Sequence, residues 1–435
     1  MLRKYRTEII IILLIHTGFM VYQLFVQHYL PGSSTEYITT ADNLHNAGTL
    51  YSGDLSQHIE PELYTKYSPG YPLVLLLTGL FTQSMVPLIL LQLALSMLSF
   101  ITMLRIFQPE GYARILATAF VLLYPAQFIY TNLVLPGILF QFLLMMAALI
   151  LYKYLQKERF RLLFFYQLMI VLAIFVKPML YPFVILNMIL FLVLYYRYRQ
   201  RLLIISSLVP VVFVIIYASF NQQRTSYFHV SSIHETRLVD HHLYYYLMDR
   251  QGEEEAMEIT REIRANCGRE TDFSKRSACL SAAATKILKE DPVSYGWFLL
   301  KGTGRFFIDP GGDQLFRFFG IESSAEKGFM HHANKSGIKG AWEYLRMQQT
   351  GMVILLLVVS VFNLLRIAGF LFFLFNRKID LAFRLFLFFL AGFLAFASGP
   401  LGMQGSMLPL VLFFTGAAAY QYGSWLSMFS ISRRA

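Results

Sequence analysis

Long apolar stretches alternate with short basic ones along most of this chain. The apolar runs are Ile9–Val26, Met85–Ile106, Tyr112–Tyr130, Val134–Tyr152, Leu162–Val176, Met179–Tyr196, Leu202–Phe220, Gly351–Phe375, Leu381–Ser398 and Ser406–Tyr422. A helix needs about 20 apolar residues to cross the hydrocarbon core of a bilayer. Lipid offers the backbone no hydrogen-bond partner, so a crossing segment must be a helix or part of a closed barrel. The runs lack strict alternation of polar and apolar residues, which selects helices. A shorter run, Tyr71–Phe81, is too short to cross and reads as a re-entrant or interfacial helix. No small-residue cleavage site follows Ile9–Val26, so it reads as a retained first span.

Basic residues sort these runs. They cluster at Arg3, Lys4 and Arg6; at Lys153, Lys157, Arg159 and Arg161; at Arg197, Arg199 and Arg201; at Arg377, Lys378 and Arg384; and at Arg433 and Arg434. Short cytoplasmic loops are enriched in Lys and Arg. With ten crossings and a non-crossing Tyr71–Phe81, all five clusters fall on one side and both termini are cytoplasmic. Two long segments, 27–70 and 221–350, then lie outside. The expected fold is an all-α polytopic membrane protein of about ten transmembrane helices, with one re-entrant or interfacial helix and a small helical extracytoplasmic domain. Its divisions are 1–26 (tail and first span), 27–84 (first outer loop), 85–220 (spans two to seven), 221–350 (outer domain) and 351–435 (last three spans).

Composition agrees with this class. The 435 residues are 56% hydrophobic and 14% charged, with a mean hydropathy of +0.51; soluble proteins carry roughly 25% charged residues. The net charge of +11 is explained by the clusters between spans, not by a nucleic-acid surface. No phosphate-cradling glycine loop or dinucleotide fingerprint is present.

The outer domain is expected to hold helices over Glu253–Asn266 and Lys275–Glu290, and a third that starts at Asp291-Pro292 and runs to about Phe307. Asp as N-cap followed by Pro at the first helical position is a start signal. The third helix offers Tyr295, Phe298, Leu299 and Phe306 as a face for the membrane surface, and Asp309-Pro310-Gly311-Gly312 ends it in turn chemistry. Cys267 and Cys279 are the only cysteines; both fall on the oxidising side, where a disulfide is expected. Arg366, near the inner end of a span, reads as a snorkelling side chain.

The first outer loop reads Gly32-Ser-Ser-Thr-Glu-Tyr-Ile-Thr-Thr-Ala-Asp-Asn-Leu44 and continues to Tyr67-Ser-Pro-Gly-Tyr-Pro72. Tyr37, Ala41 and Leu44 have helical spacing. Lys177-Pro178 opens an outer turn, Asp291-Pro-Val-Ser-Tyr295 leads to Arg305-Phe-Phe-Ile-Asp-Pro-Gly311, and Gly399-Pro400 with Pro409 marks the last outer turn. In this order and topology, over most of the chain, the sequence resembles the GT-C membrane glycosyltransferases, and most of all their protein O-mannosyltransferase-like and aminoarabinose-transferase-like branch. The resemblance implies transfer of a sugar from a polyprenyl-phosphate-linked donor to a glycolipid, polysaccharide or protein acceptor at the outer face of the cytoplasmic membrane. It implies membrane lipids as further partners and no nucleic acid.

Such chemistry needs a base within reach of the acceptor and fixed cations where charge develops on the departing phosphate. The acidic residue usual in the family's first loop falls at Ser33, that usual near the fourth span at Gly137, and the Arg usual in the last outer turn at Gly405. Glu36 and Asp42 are therefore the candidate catalytic acids. Glu36 also reads as an ordinary helix-start acid. Lys66, Lys177 and Arg305 are the candidate lipid-phosphate ligands. Lys177 reads equally as a lysine reaching for headgroups, and Arg305 as a headgroup contact. Glu60 and Glu62 flank Pro61 in what is expected to be solvated loop. No cofactor is expected. Two histidine pairs, His241-His242 with Asp240 and Tyr244 nearby and His331-His332, are the patterns weighed for a divalent metal, and neighbouring histidines point to different faces of a helix. Three classes of function stay open: a transferase, a GT-C-like subunit without catalysis that binds lipid-linked sugar or scaffolds envelope polysaccharide assembly, and a transporter.

Overall fold

A computed structural model describes residues 2–80, 84–233, 237–308, 318–320, 329–399 and 407–432. The Asp309-Pro310-Gly311-Gly312 turn, Pro400, Gly405, Arg433 and Arg434 lie outside them. Among the described residues all regular structure is helical. The helices are α1 (Arg6–Val26), α2 (Ser34–Ala47), α3 (Gly70–Gly79), α4 (Val86–Phe107), α5 (Tyr112–Leu122), α6 (Ala126–Thr131), α7 (Gly137–Lys157), α8 (Arg161–Val176), α9 (Phe183–Tyr198) and α10 (Arg201–Thr225). A π-helical turn, Leu238–Leu243, runs into α11 (Tyr244–Gln251). Then follow α12 (Glu253–Cys267), α13 (Phe273–Glu290), α14 (Pro292–Ile308), α15 (Phe329–Met347), α16 (Thr350–Leu374), α17 (Leu381–Ala397) and α18 (Leu408–Ser432).

Among the described residues five helical stretches are long and apolar enough to cross a membrane: Arg3–Val26, Val86–Phe107, Gly137–Lys157, Arg201–Thr225 and Val353–Leu374. Their outer faces are greasy. Ile205, Val209, Val212 and Ile216 of α10 are all exposed, as are Ile10, Leu13 and Leu14 of α1. A soluble protein rarely exposes contiguous apolar surface of this extent; lipid is the solvent it suits. Polar side chains turn inward instead. His16 of α1 meets Ser96 of α4 at 3.1 Å, Gln127 donates to Ser96 at 2.8 Å, and Gln127 and Gln141 bond each other. Gln141 closes the chain on the Leu408 carbonyl at 2.6 Å.

The run 112–130 is not one helix. It breaks between α5 and α6, because Pro125 has no N–H to give the Val121 carbonyl and disfavours helical backbone before it. The break leaves the Phe120 carbonyl without a helical partner. Arg366 supplies one: its guanidinium donates to that carbonyl and to Asn363, and lies 5.6 Å from the Phe120 ring and 5.4 Å from that of Tyr124. Arg366 is fully buried, so it does not snorkel. It caps the negative end of a broken helix.

Contacts between loops divide the molecule into two ends. At the basic end, Lys4 pairs with Glu110 at 2.5 Å, Arg197 with Asp380 at 2.6 Å, and Tyr154 donates to Gln200 at 3.3 Å. The connections that carry most of the lysine and arginine clusters thus meet one another. The opposite end, called here the loop end, holds the segment 27–70 and the described residues of the segment 221–349. These are joined. Ser231 donates to the Lys66 carbonyl at 2.9 Å, Ser232 to the Glu62 carbonyl at 2.7 Å, and His229 Nε2 lies 2.7 Å from the Thr65 hydroxyl. The Glu62 carboxylate pairs with Arg276 of α13 at 2.5 Å, so Glu62 is a clamp between segments and not free loop.

The 238–308 unit has its own small core of Val239, Leu243, Leu247, Ala256, Leu288 and Phe298. Asp272 and Asp291 cap α13 and α14 by accepting from the backbone N–H of Lys275 and Ser294. Cys267 and Cys279 are joined by a disulfide. The α14 face differs from expectation. Phe298 and Phe306 are buried, and Tyr295 stacks on Phe298. The exposed apolar side chains are Val293, Trp297 and Leu300, on the opposite side. Tyr246 packs against both Tyr295 and Phe298 on the first face, which leaves the second as the exposed apolar one.

Candidate functional site at the loop end

α2 and α3 frame one wall of the site. Ser34, at the start of α2, donates to the Val134 carbonyl at 2.8 Å, and Val134 N–H donates to Tyr29 at 3.0 Å. This ties the first loop to the turn ahead of α7. α3 enters through Pro69-Gly70. A Cβ on Gly70 would stand 2.6 Å from the Phe175 carbonyl oxygen and 3.0 Å from Val176 Cγ2. Glycine is therefore what lets α3 approach the end of α8, where Lys177 follows.

Glu36 projects from α2 and accepts from Lys66 Nζ at 2.8 Å and from the Tyr67 hydroxyl at 2.6 Å. The Tyr37 ring packs on Tyr67 at 4.2 Å and edge-on to Tyr71 at 5.2 Å. Burial and the bond to Glu36 push the Tyr67 hydroxyl far above its ordinary pKa, so it stays a proton donor to the carboxylate.

Arg237 enters from the far side, at the head of the π-turn. Its charge is felt by Tyr37, Tyr67, Lys177, His241 and His242. Burial lowers the Lys177 ammonium to about 8, with the Arg237 charge adding to the effect. Burial likewise lowers Arg237. Lys177 rests 5.6 Å from the Phe140 ring of α7. Among the described residues neither cation has a hydrogen bond or an ion-paired carboxylate. Two partly buried cations in one neighbourhood, without a carboxylate partner among the described residues, favour an anion there. His242 completes this wall. Its Nδ1 meets the Tyr295 hydroxyl at 3.0 Å, and its Nε2 is 3.3 Å from where a Cβ of Gly399 would stand. Burial first, then His241 and Arg237, hold His242 down to about 4, so it is neutral at ordinary pH.

The candidate residues divide as follows. Glu36, Lys66 and Lys177 belong to one neighbourhood, linked through Tyr67 and Arg237. Lys66 is committed to Glu36. Asp42 is not part of this group: it lines a separate groove with His45. Six residues along a helix is about 9 Å of rise and about 120° of turn, which puts Asp42 round the side of α2 from Glu36. Arg305 answers to Asp249 of α11 and not to Lys177. Ser33 precedes α2 and makes no capping bond. At Gly137 the space for a side chain is taken by Leu408, 2.9 Å from the Cβ position. Among the described residues no cluster of three metal-ligating side chains occurs; Asp240 is spent on Arg264.

Arg237, Tyr67 and Tyr71 carry the site and were not singled out from the sequence. Arg237 sits amid mixed charge, with no motif around it. Its importance comes from the π-turn, whose wider spacing presents residues 237, 241 and 242 together.

No protein-family model matches the sequence, and no curated protein sequence does. The fold and the site define an α-helical membrane protein. At one end of its bundle a carboxylate–tyrosine–lysine set shares a neighbourhood with two partly buried cations, Lys177 and Arg237, that have no ion-paired carboxylate among the described residues.

Proposed function

We propose that this chain is a GT-C-like glycosyltransferase that takes a sugar from a polyprenyl-phosphate-linked donor and passes it to a glycolipid, polysaccharide or protein acceptor. The observation that carries this reading is that Lys177 and Arg237, partly buried at the loop end near Tyr67 and its partner Glu36, have no ion-paired carboxylate among the described residues. In this reading α1, α4, α5 with α6, α7, α8, α9, α10, α16, α17 and α18 are ten crossings and α3 is re-entrant. The basic end is cytoplasmic by the rule that short basic loops stay inside, so the site opens on the extracytoplasmic face.

The chemistry is a displacement at the sugar's anomeric carbon. The acceptor oxygen bonds to that carbon while the bond to the phosphate oxygen breaks. The acceptor proton goes to Glu36, oriented by Tyr67 and Lys66. The electron pair leaves on the phosphate, whose charge Lys177 and Arg237 receive. Arg237 offers a fork of donors that matches phosphate oxygens, and Lys177 a point charge.

The test is purified protein in proteoliposomes with radiolabelled polyprenyl-phosphate sugars. Release of polyprenyl phosphate together with a labelled acceptor supports the proposal, and Glu36→Gln should slow it by roughly 10²–10⁴-fold, the usual worth of a general base. A protein that binds polyprenyl phosphate and turns over no donor would instead be a binding or scaffolding subunit. That second reading is favoured by both Glu36 oxygens being engaged, and by uncharged residues at Ser33 and Gly137.

A further inference from the structure

α2 separates two openings of opposite charge. The first is the cationic site just described. The second is a groove of about 430 Å³ between α2, α3 and the start of α4. Ile38, Ala41, Leu75, Leu76, Met85 and Leu88 supply its apolar lining, and Thr78 and Ser84 add polar groups on the α3–α4 side. Its ionisable rim is on α2, where Asp42 and His45 are three residues apart and so share a face. Asp42 is exposed, and among the described residues it has neither a hydrogen bond nor an ion pair.

The groove lies at membrane level. Met85 immediately precedes α4, which is long and apolar enough to cross a bilayer, and Leu88 is in its first turn. On α3 the side chains of Leu73 and Leu77 are 39% and 59% exposed, an apolar face suited to hydrocarbon. An open apolar slot of this size, inside the usual range for ligand sites, takes a hydrocarbon chain. The unpaired carboxylate at its mouth selects the head. A head with net negative charge is repelled, and an ammonium is attracted and hydrogen-bonded.

We propose that this groove is a binding site for a bilayer aminolipid, with a chain between α2 and α3, the primary ammonium on the Asp42 carboxylate, and the adjoining phosphate ester within reach of His45. The site stands on its own side of α2 and does not depend on sugar transfer. It assigns Asp42 a recognition role and leaves Glu36 as the acid of the cationic site.

Native mass spectrometry of the full chain released from nanodiscs tests this, with phosphatidylethanolamine, phosphatidylcholine and phosphatidylglycerol competing in equal amounts. Phosphatidylethanolamine should be retained over the other two by roughly tenfold or more, the size of one charge-assisted hydrogen bond. Asp42→Asn should reduce that preference to about twofold or less. Gly79 lines the groove and has nothing within 4 Å of its Cβ position; Gly79→Phe should fold normally and release the lipid. Binding of dodecyl phosphate, measured in parallel, should survive both substitutions. Equal retention of phosphatidylglycerol, equal retention of phosphatidylcholine, or an unchanged preference in Asp42→Asn would each overturn the proposal. So would a groove-filling variant that keeps its lipid. None of these outcomes bears on turnover of a sugar donor.

Discussion

Gly70→Ala is the most direct test of how the site is assembled. The added Cβ meets the Phe175 carbonyl oxygen at 2.6 Å, its carbon at 2.8 Å and Val176 Cγ2 at 3.0 Å. The first two are backbone atoms of a helix end, so they cannot rotate away. Ordinary contact begins near 3.4 Å, so α3 must retreat from α8 by about 0.8 Å, or α8 must bend. Overpacking of this kind costs about 1–3 kcal/mol. Thermal unfolding in detergent should fall by a few degrees, since the shift per kcal/mol shrinks as chains lengthen. Gly79→Ala is the matched control. It is on the same helix with open space at its Cβ, and alanine's helix propensity makes it neutral or stabilising by up to about 1 kcal/mol. The two substitutions also separate stability from function. The retreat moves Tyr67 and Lys66 relative to Lys177, and misplacement near 1 Å costs catalysis up to about 10²-fold. Donor turnover and dodecyl phosphate affinity should fall in Gly70→Ala alone. A neutral Gly70→Ala, or equal losses in both variants, would refute the claim that this contact positions the first loop on α8.

Burial holds the Lys177 ammonium down to about 8. The folded chain thus binds fewer protons there than the unfolded chain between pH 8 and about 10.5, so this group's burial penalty is full below pH 8 and eases as pH rises. Phosphate binding has the opposite dependence, because it needs the charged form: dodecyl phosphate affinity should drop above pH 8, and Lys177→Arg should flatten the drop, while an unchanged profile would remove Lys177 from the anion site. Arg366→Met leaves the buried Phe120 carbonyl without a donor and should cost about 1–3 kcal/mol, read as a lower unfolding midpoint; no loss would mean that this end of α5 finds another partner. Replacing Cys267 and Cys279 by serine opens a loop of 12-residue separation, worth about 3 kcal/mol by the chain-entropy relation. Faster proteolysis within 238–308, with the bundle helices still protected, is the expected result.

What the sequence disclosed about this molecule follows the range of the interactions involved. Local signals translated well. Helices expected over Glu253–Asn266 and Lys275–Glu290 are observed over Glu253–Cys267 and Phe273–Glu290, the second beginning earlier because Asp272 caps it. Asp291-Pro292 opens α14 as its chemistry dictates. Hydropathy located apolar helices but saw nothing of their interruptions. The 112–130 run scores as apolar throughout, yet Pro125 splits it, and the cost of the freed carbonyl is met by an arginine 246 positions away. Pattern reasoning read that arginine as a membrane-interface residue because its partner is invisible in one dimension. The same holds for the site. Glu36 was legible as an acid in the first loop, but which of Glu36 and Asp42 faces the cations depends on the rotation of α2, and that is set by Ser34 on the Val134 carbonyl and by Tyr37 packed on Tyr67 and Tyr71. Arg237 was the least legible, since a π-turn is a backbone event without a residue signature. Yet it is the group whose charge ties Lys177 to the tyrosines and histidines around it. Neutralising Arg237 should therefore weaken anion binding at least as much as neutralising Lys177, because it removes both a ligand and the repulsion that makes the empty site unfavourable. If Arg237→Gln binds dodecyl phosphate as well as the parent chain does, the two cations do not share one anion, and Glu36 loses the neighbour that gives it a role.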